Sequence, residues 1–367
     1  MRELTTALVN KKIVRSNASL KNAQKQERQA NGKGRRKPLK NYIGKIVTLT
    51  SPELIGRESG ISNSASDVSM ENLLAALEKT DITGMSGNGF PIHRKIISFL
   101  SSNAAQKILL INAVECDPAL MHDEWLLDNR YTEIIRTIHY LMQALSFDQA
   151  VLATKKKSVT SDGSFTVSIV PPRYPMGEEH FLIRQALGIP VDDKDIPAEH
   201  GILVLNLQSV YQIGKIINQC YDGRRFVTIA DLTKASARIA YIYPTDNISA
   251  LLKTSFDGMD GKSLYRGHGV MDCIKATETD DFSHHGNFAA YSDPLTIDNA
   301  NKCKRCGSCN RKCPVKIKIA KVVQAVDNGT FSDQTSYHLD RCIRCGSCTY
   351  FCHASKNVSG YVAEILG

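Results

Sequence analysis

Nowhere in its 367 residues does this chain hold the roughly 18 uninterrupted apolar residues that a membrane-spanning helix needs. Its start, MRELTTALVNKK, lacks the apolar stretch of a secretory signal, which points to the cytoplasm. The body of the chain also lacks net charge. Residues 1–40 carry 12 Lys/Arg against 2 Glu, a net +10, whereas the other 327 residues carry 34 Lys/Arg against 35 Asp/Glu. The overall +9 therefore belongs to a basic arm, and the average does not describe a nucleic-acid-binding body. What is abundant is apolar residue, at 42%, enough to build two or three domains with their own cores.

Cysteine is plentiful and unevenly placed. Eight of the 11 cysteines fall between Cys303 and Cys352 in short regular spacings, and without an export signal metal ligation explains them better than disulfides. Cys303, Cys306, Cys309 and Cys313 spell C-x-x-C-x-x-C-x-x-x-C, followed by Pro314, and Cys342, Cys345, Cys348 and Cys352 repeat the spacing. Three thiolates from one tight loop meet three corners of a [4Fe–4S] cubane, and the fourth cysteine leaves on a helix. Zinc knuckles use C-x-x-C pairs but not this doubled run of four. In two-cluster ferredoxins each fourth cysteine ligates the other cluster, which groups Cys303, Cys306, Cys309 with Cys352 and Cys342, Cys345, Cys348 with Cys313. Lysines and arginines flank both runs, as charge compensation for anionic cubanes or as a docking surface. Cys116, Cys220 and Cys273 stand alone and read as small buried hydrophobes.

Residues 1–69 read as a basic arm and linker with one strand-like run at 43–50. Residues 70–224 alternate helical and strand patterns: a helix from Met70, a glycine loop GMSGNGFP (84–91), a helix after it, a buried strand at 107–115 and one long amphipathic helix over 124–145. This is an α/β layered domain. Residues 225–300 read as a small β-grasp module followed by loop from 253, and 301–367 as a two-cluster ferredoxin-like α domain. A glycine loop that opens a helix aims backbone N–H groups at an anion, which suits a flavin mononucleotide phosphate, and Lys95 lies one turn inward. Glu115, Asp117, His122 and Asp123 could imitate a metal site, but acids at a strand end read more simply as pocket and surface groups. His268, His284 and His285 read as loop polarity, and Trp125 and Tyr131 as core.

GMSGNGFPIHRK (84–95), INAVECDP (111–118), YPMGEEHFLI (174–183) and VLNLQSV (204–210), in this order, resemble the flavin domain of the RnfC-like family of Rnf electron-transport complexes. That family is related to cobalamin reductase and, more distantly, to the NADH-binding flavoprotein of respiratory complex I. The resemblance spans roughly 70–355 and implies a flavin- and NADH-binding α/β domain, a β-grasp module and the two-cluster domain. It implies that Gly84, Gly87, Gly89 and Lys95 hold FMN phosphate and ribityl oxygens, and that Asn112 and Glu115 face the isoalloxazine or ribityl chain. Gly177, Glu178 and Glu179 would lie beside the ring, Asn206 and Ser209 would close the phosphate side, and Phe90 would stack on nicotinamide. Ser86 stands where the family usually has glycine, and the family's lipoyl-like start has no counterpart in residues 1–69. The implied function is electron transfer from NADH through FMN and two [4Fe–4S] clusters to a redox partner protein or a membrane-associated electron-transport complex, in the cytoplasm or at the inner face of the membrane. The alternatives are a ferredoxin-like adaptor with a degenerate flavin domain and a cobalamin or corrinoid reductase.

Overall fold

The computed structural model describes residues 53–61, 69–86, 89–192, 195–283, 286–294 and 301–366. The arm, the strand-like run at 43–50, Gly87, Asn88, His284 and His285 lie outside the described residues. The first element is a two-residue strand, β1 (Leu54–Ile55). Two compact units follow.

The first unit comprises Gly56–Cys116 and Met121–Phe226. It opens with α1 (Met70–Thr80), whose N-cap Ser69 accepts the N–H of Asn72, and α2 (Ile92–Leu100). Then come β2 (Ile108–Ala113), α3 (His122–Asn129), α4 (Tyr131–Ala144), β3 (Gln149–Thr154), β4 (Thr166–Ile169), α5 (Glu179–Ala186), β5 (Ile202–Asn206) and α6 (Leu207–Ile217). The strands form a parallel sheet in the order β4-β3-β2-β5. Near-continuous apolar runs such as ILLINA and ILVLN are what a parallel sheet buried on both faces requires, and Leu109, Leu110, Leu203 and Val204 are all buried. From β2 the chain winds one way to β3 and β4, and it then returns to the other side for β5. The order therefore reverses between β2 and β5, and in open α/β sheets the crevice beyond the carboxyl ends at such a reversal receives the ligand.

The helix expected as one piece over 124–145 is two helices. The backbone leaves the helical region at Arg130 (φ −135°, ψ 22°), where the guanidinium is drawn to Glu58 (Nε to Oε2, 2.7 Å). Apolar periodicity does not register such a break, because both helices bury residues in the same unit: Leu126 and Leu127 from α3, Ile134, Ile138 and Leu141 from α4.

The second unit holds Asp117–Leu120 and the chain from Val227 onward, together with β1. Its sheet is built from β6 (Arg225–Asp231), β7 (Ser236–Ile242), β8 (Ser263–Gly267), β9 (Ile274–Ala276) and β10 (Phe288–Ser292), with α7 (Ile248–Ser255) between β7 and β8. The order is β1-β7-β6-β10-β8-β9, with β10 parallel to β6 and antiparallel to β8. The inner four strands and α7 have β-grasp topology, extended at either edge by β1 and β9. Three of these strands lie where the sequence reads as loop. They are three to five residues long and set between glycines and aspartates, so their apolar runs are too brief to show a period. β10 is nonetheless buried throughout, against a core of Val227, Ile229, Ile242, Leu252 and Phe282.

The unit then continues as α8 (Ser308–Lys312), α9 (Ile319–Asp327), α10 (Ser347–Tyr350) and α11 (Val358–Leu366). Among the described residues no helix is long and apolar enough to cross a membrane.

Glu58 anchors the start of the first unit. Its fully buried carboxylate accepts from Tyr211 Oη (2.6 Å), Lys215 Nζ (3.1 Å), Arg130 Nε and the N–H of Gly60 (2.8 Å). Burial alone would raise the Glu58 pKa, but the bonds from Tyr211, Arg130 and Lys215 outweigh it and hold the group below the usual carboxylate range. Glu58→Gln leaves Lys215, itself buried, without its anion, and should destabilise the unit by about 3 kcal/mol. Urea unfolding followed by the fluorescence of Trp125, the chain's one tryptophan, measures this. A depressed pKa contributes stability above the unfolded value of about 4.3 that is lost as pH falls through the folded value, so the gap between wild type and Glu58→Gln should close in acid.

Candidate cofactor sites

The carboxyl ends of β2 and β5 carry Asn112 and Asn206, neighbours in register across the sheet. Asn112 Nδ2 donates to the Gly177 carbonyl (2.9 Å), and its Oδ1 accepts from the N–H of Val114 (3.0 Å). Gly177 is confined: a Cβ there would meet the Val114 carbonyl at 2.7 Å, and its N–H donates to Cys116 Sγ (3.3 Å). Cys116, within the INAVECDP motif, thus contributes a hydrogen-bond acceptor that the sequence reading as a buried hydrophobe does not reveal. Asn206 is the N-cap of α6, accepting from the N–H groups of Gln208 (2.9 Å) and Ser209 (3.3 Å). Ser209 Oγ in turn accepts the N–H of Met85 (2.9 Å), tying the glycine loop to α6.

The loop is closed at its base by Gly84 N–H to Phe90 O (2.8 Å) and by a bridge between Thr83 and Pro91. Gly89 adopts a left-handed φ of 63°, open to glycine at little cost. The α2 helix starts at the loop's end with Pro91 as N-cap and no side-chain cap, so its first turn leaves backbone donors for an external acceptor. Lys95 Nζ pairs with Glu179 Oε1 at 3.0 Å, on the part-exposed surface of the same region. Glu178 caps α5 through Phe181 N–H (3.1 Å) and holds His180 Nδ1 (3.0 Å), an arrangement that raises the His180 pKa to about 9. Asn112 and Gly177 therefore meet, as do Lys95 and Glu179, and Ser209 reaches the loop. Gly87 lies outside the described residues.

Glu115 is turned elsewhere. Its carboxylate is buried and accepts the N–H groups of Asp123 (3.0 Å) and Glu124 (3.1 Å), so it caps α3 instead of facing open space. Ligand atoms of Glu115, His122 and Asp123 lie within 4.8 Å of one another. The environment already carries cations, because Arg225 acts on His122, and Lys155 Nζ donates to the Glu115 carbonyl at 2.7 Å. Burial drives His122 down to about 3, so the imidazole is neutral. Burial, then the neighbouring Asp123, drives Glu115 far above the carboxylate range, and burial raises Asp123 as well. Asp117 does not join this group; it accepts from the N–H groups of Ala119, Val270 and Met271 at 2.9 to 3.0 Å and fixes that turn.

The eight clustered cysteines form two sets. Burial pushes the Cys309 thiol up to about 11, with Cys303, Cys352 and Cys306 adding to it, whereas Cys342 and Cys345 feel Cys313. Each fourth cysteine thus sits with the other run's first cysteines. The backbone repeats at an interval of 39 residues. Arg305 and Arg344 take φ of 53° and 54°, Gly307 and Gly346 68° and 75°, and Lys316 and Ser355 62° and 52°. These turns aim N–H groups at sulfur: Arg305 at Cys303 (3.4 Å), Ile317 at Cys313 (3.3 Å), Lys356 at Cys352 (3.4 Å). Such donors suit thiolates bound to iron, and the cysteine spacing alone does not reveal them. Gly346 has a second constraint, for a Cβ there would lie 2.2 Å from the Met271 carbonyl.

Residues 77–215 match the Nuo51 FMN-binding domain family, and 295–353 match the 4Fe-4S dicluster domain. The chain is 30% identical over 264 residues to the C subunit of the ion-translocating oxidoreductase complex of Vibrio cholerae, covering 67% of this chain and 34% of that protein. It is 28% identical over 180 residues to a cobalamin reductase of Salmonella typhimurium, covering 47% and 39%. The chain thus spans about a third of the length of these relatives. A NAD+-reducing [NiFe]-hydrogenase in its H2-reduced state shares the fold, with a TM-score of 0.58, 14% identity, and 86% of this chain and 66% of that one covered. The resemblance carried by the four motifs is borne out, and FMN and [4Fe–4S] clusters are the cofactors of the two matched domains.

Cys313→Ser should abolish the cluster held by Cys342, Cys345 and Cys348 while sparing the one nearer in sequence. EPR of the reduced variant measures this, and loss of the nearer cluster alone would show uncrossed ligation. The buried acids give a pH prediction. Folded pKa values above the unfolded ones mean that unfolding releases a proton, so stability falls as pH rises above about 4 and levels off beyond the folded values. Thermal midpoints of Asp123→Asn should fall less between pH 5 and 8 than those of wild type.

Proposed function

We propose that this chain is the flavin and iron–sulfur portion of an NADH-oxidising electron-transfer protein that serves a redox partner at a membrane-associated complex. The observation that carries the reading is the presence, in one chain, of two fourfold thiol sets and a parallel-sheet crevice built around Asn112, Gly177 and Asn206. When bound, FMN accepts a hydride pair and [4Fe–4S] clusters carry single electrons.

The chain's own residues bind and position. The uncapped start of α2, Lys95 and the loop tied down by Ser209 offer donors to a phosphate. Asn112 and Gly177 set the wall of the crevice, and in this reading Phe90 stacks on nicotinamide. Glu115 holds the start of α3 through the N–H groups of Asp123 and Glu124. No side chain is required to act as acid or base in the hydride step. The cobalamin reductase reading rests on the 28% relative and differs only in the acceptor.

Anaerobic purification with iron, sulfide and flavin measured together tests the proposal. About eight irons, eight sulfides and one FMN should copurify, and NADH should bleach the flavin absorbance before any partner is added. Gly177→Val should lose the flavin and keep the iron, because its Cβ collides with backbone. A folded protein with full iron and no flavin would favour the adaptor reading, and NADH-dependent reduction of cob(II)alamin the corrinoid one.

A further inference from the structure

The sequence from Asn301 to Val326 contains eight Lys/Arg and no Asp or Glu. All eight, Lys302, Lys304, Arg305, Arg311, Lys312, Lys316, Lys318 and Lys321, are exposed. Among the described residues none of them has a carboxylate within 4 Å, whereas lysines elsewhere in the chain are regularly paired, as Lys95, Lys155 and Lys262 are. From Val315 to Ile319 burial alternates, with Val315, Ile317 and Ile319 inside and Lys316 and Lys318 outside. The apolar positions fix the segment and put the ammonium groups in water. Cys306, in the middle of this run, is itself exposed.

Charge compensation does not account for the whole set. A cysteine-ligated [4Fe–4S] cluster carries about two negative charges, far fewer than the eight cations gathered here. Eight cations without carboxylate neighbours around an exposed ligand loop are instead complementary to an acidic protein. We propose that this face, residues 302–321, is the docking surface for a small acidic one-electron carrier protein, which approaches the cluster of Cys303, Cys306, Cys309 and Cys352 at its exposed Cys306 corner. The inference rests on the electron-transfer reading above and supplies its partner class. Complementary charge of this kind acts through the association rate and is screened over a Debye length of about 8 Å at physiological salt.

The test is a binding measurement that needs neither NADH nor flavin. A fluorescently labelled flavodoxin serves as the acidic probe and cytochrome c as a basic control, titrated with the full-length, cluster-loaded chain at several salt concentrations. Flavodoxin should bind at low salt and weaken steadily as salt rises, and cytochrome c should not bind. The triple variant Lys304→Glu, Lys318→Glu, Lys321→Glu should weaken flavodoxin binding about tenfold or more and flatten its salt dependence, with iron and sulfide unchanged. If it loses iron, Lys318→Gln with Lys321→Gln should still weaken binding about threefold. The basic arm is intact in every variant, so a triple variant that binds as tightly as wild type would assign the attraction to the arm and overturn the proposal. Tighter binding to vesicles containing phosphatidylserine than to flavodoxin, lost in the same variant, would overturn it in favour of a membrane surface.

Discussion

Four sulfurs must converge on each cubane, and a single short loop can bring only three. The arrangement of residues 301–366 follows from that shortage. Each run's fourth thiol lies beside the first cysteines of the other run, and the loops that supply three cysteines and the turns that carry the fourth repeat one geometry twice. Left-handed φ values at Arg305, Arg344, Lys316 and Ser355 mark that repetition, and such values are unusual for residues with a Cβ. They put N–H groups on Cys303, Cys313 and Cys352. These left-handed turns accompany the N–H groups directed at sulfur.

The flavin domain meets a different constraint. A parallel sheet buried on both faces leaves its polar residues few places to go, and they gather where the strands end. Asn112 and Asn206 end adjacent strands and both commit an oxygen to neighbouring backbone, which fixes their side chains before any ligand arrives. Lys215 and Glu58 show how much such burial demands, since the carboxylate is tolerated because two cations and a phenol surround it.

The cysteine runs and the parallel-sheet half are legible in the sequence for one reason: both rest on local patterns, fixed spacing in one and long apolar runs in the other. The strands β8, β9 and β10 lie below that threshold, being three to five residues long, and their pairing is nonlocal, with β10 inserted between β6 and β8. The break at Arg130 is hidden because its cause, Glu58, lies 72 residues away. The motif around Glu115 directs that residue to the ring, and it sits instead at the start of α3, where the acceptor of two amides is decided by the turn of the chain. Cys116 and the Asp117 contact to Val270 and Met271 depend equally on chain segments far apart.

An exchange of fourth cysteines would also bear on how the clusters are assembled. With that pairing neither run would hold a full ligand set by itself, and severing the chain between Cys313 and Cys342 would separate each trio from its fourth thiol. Under that pairing each cluster would also act as a cross-link between the two runs.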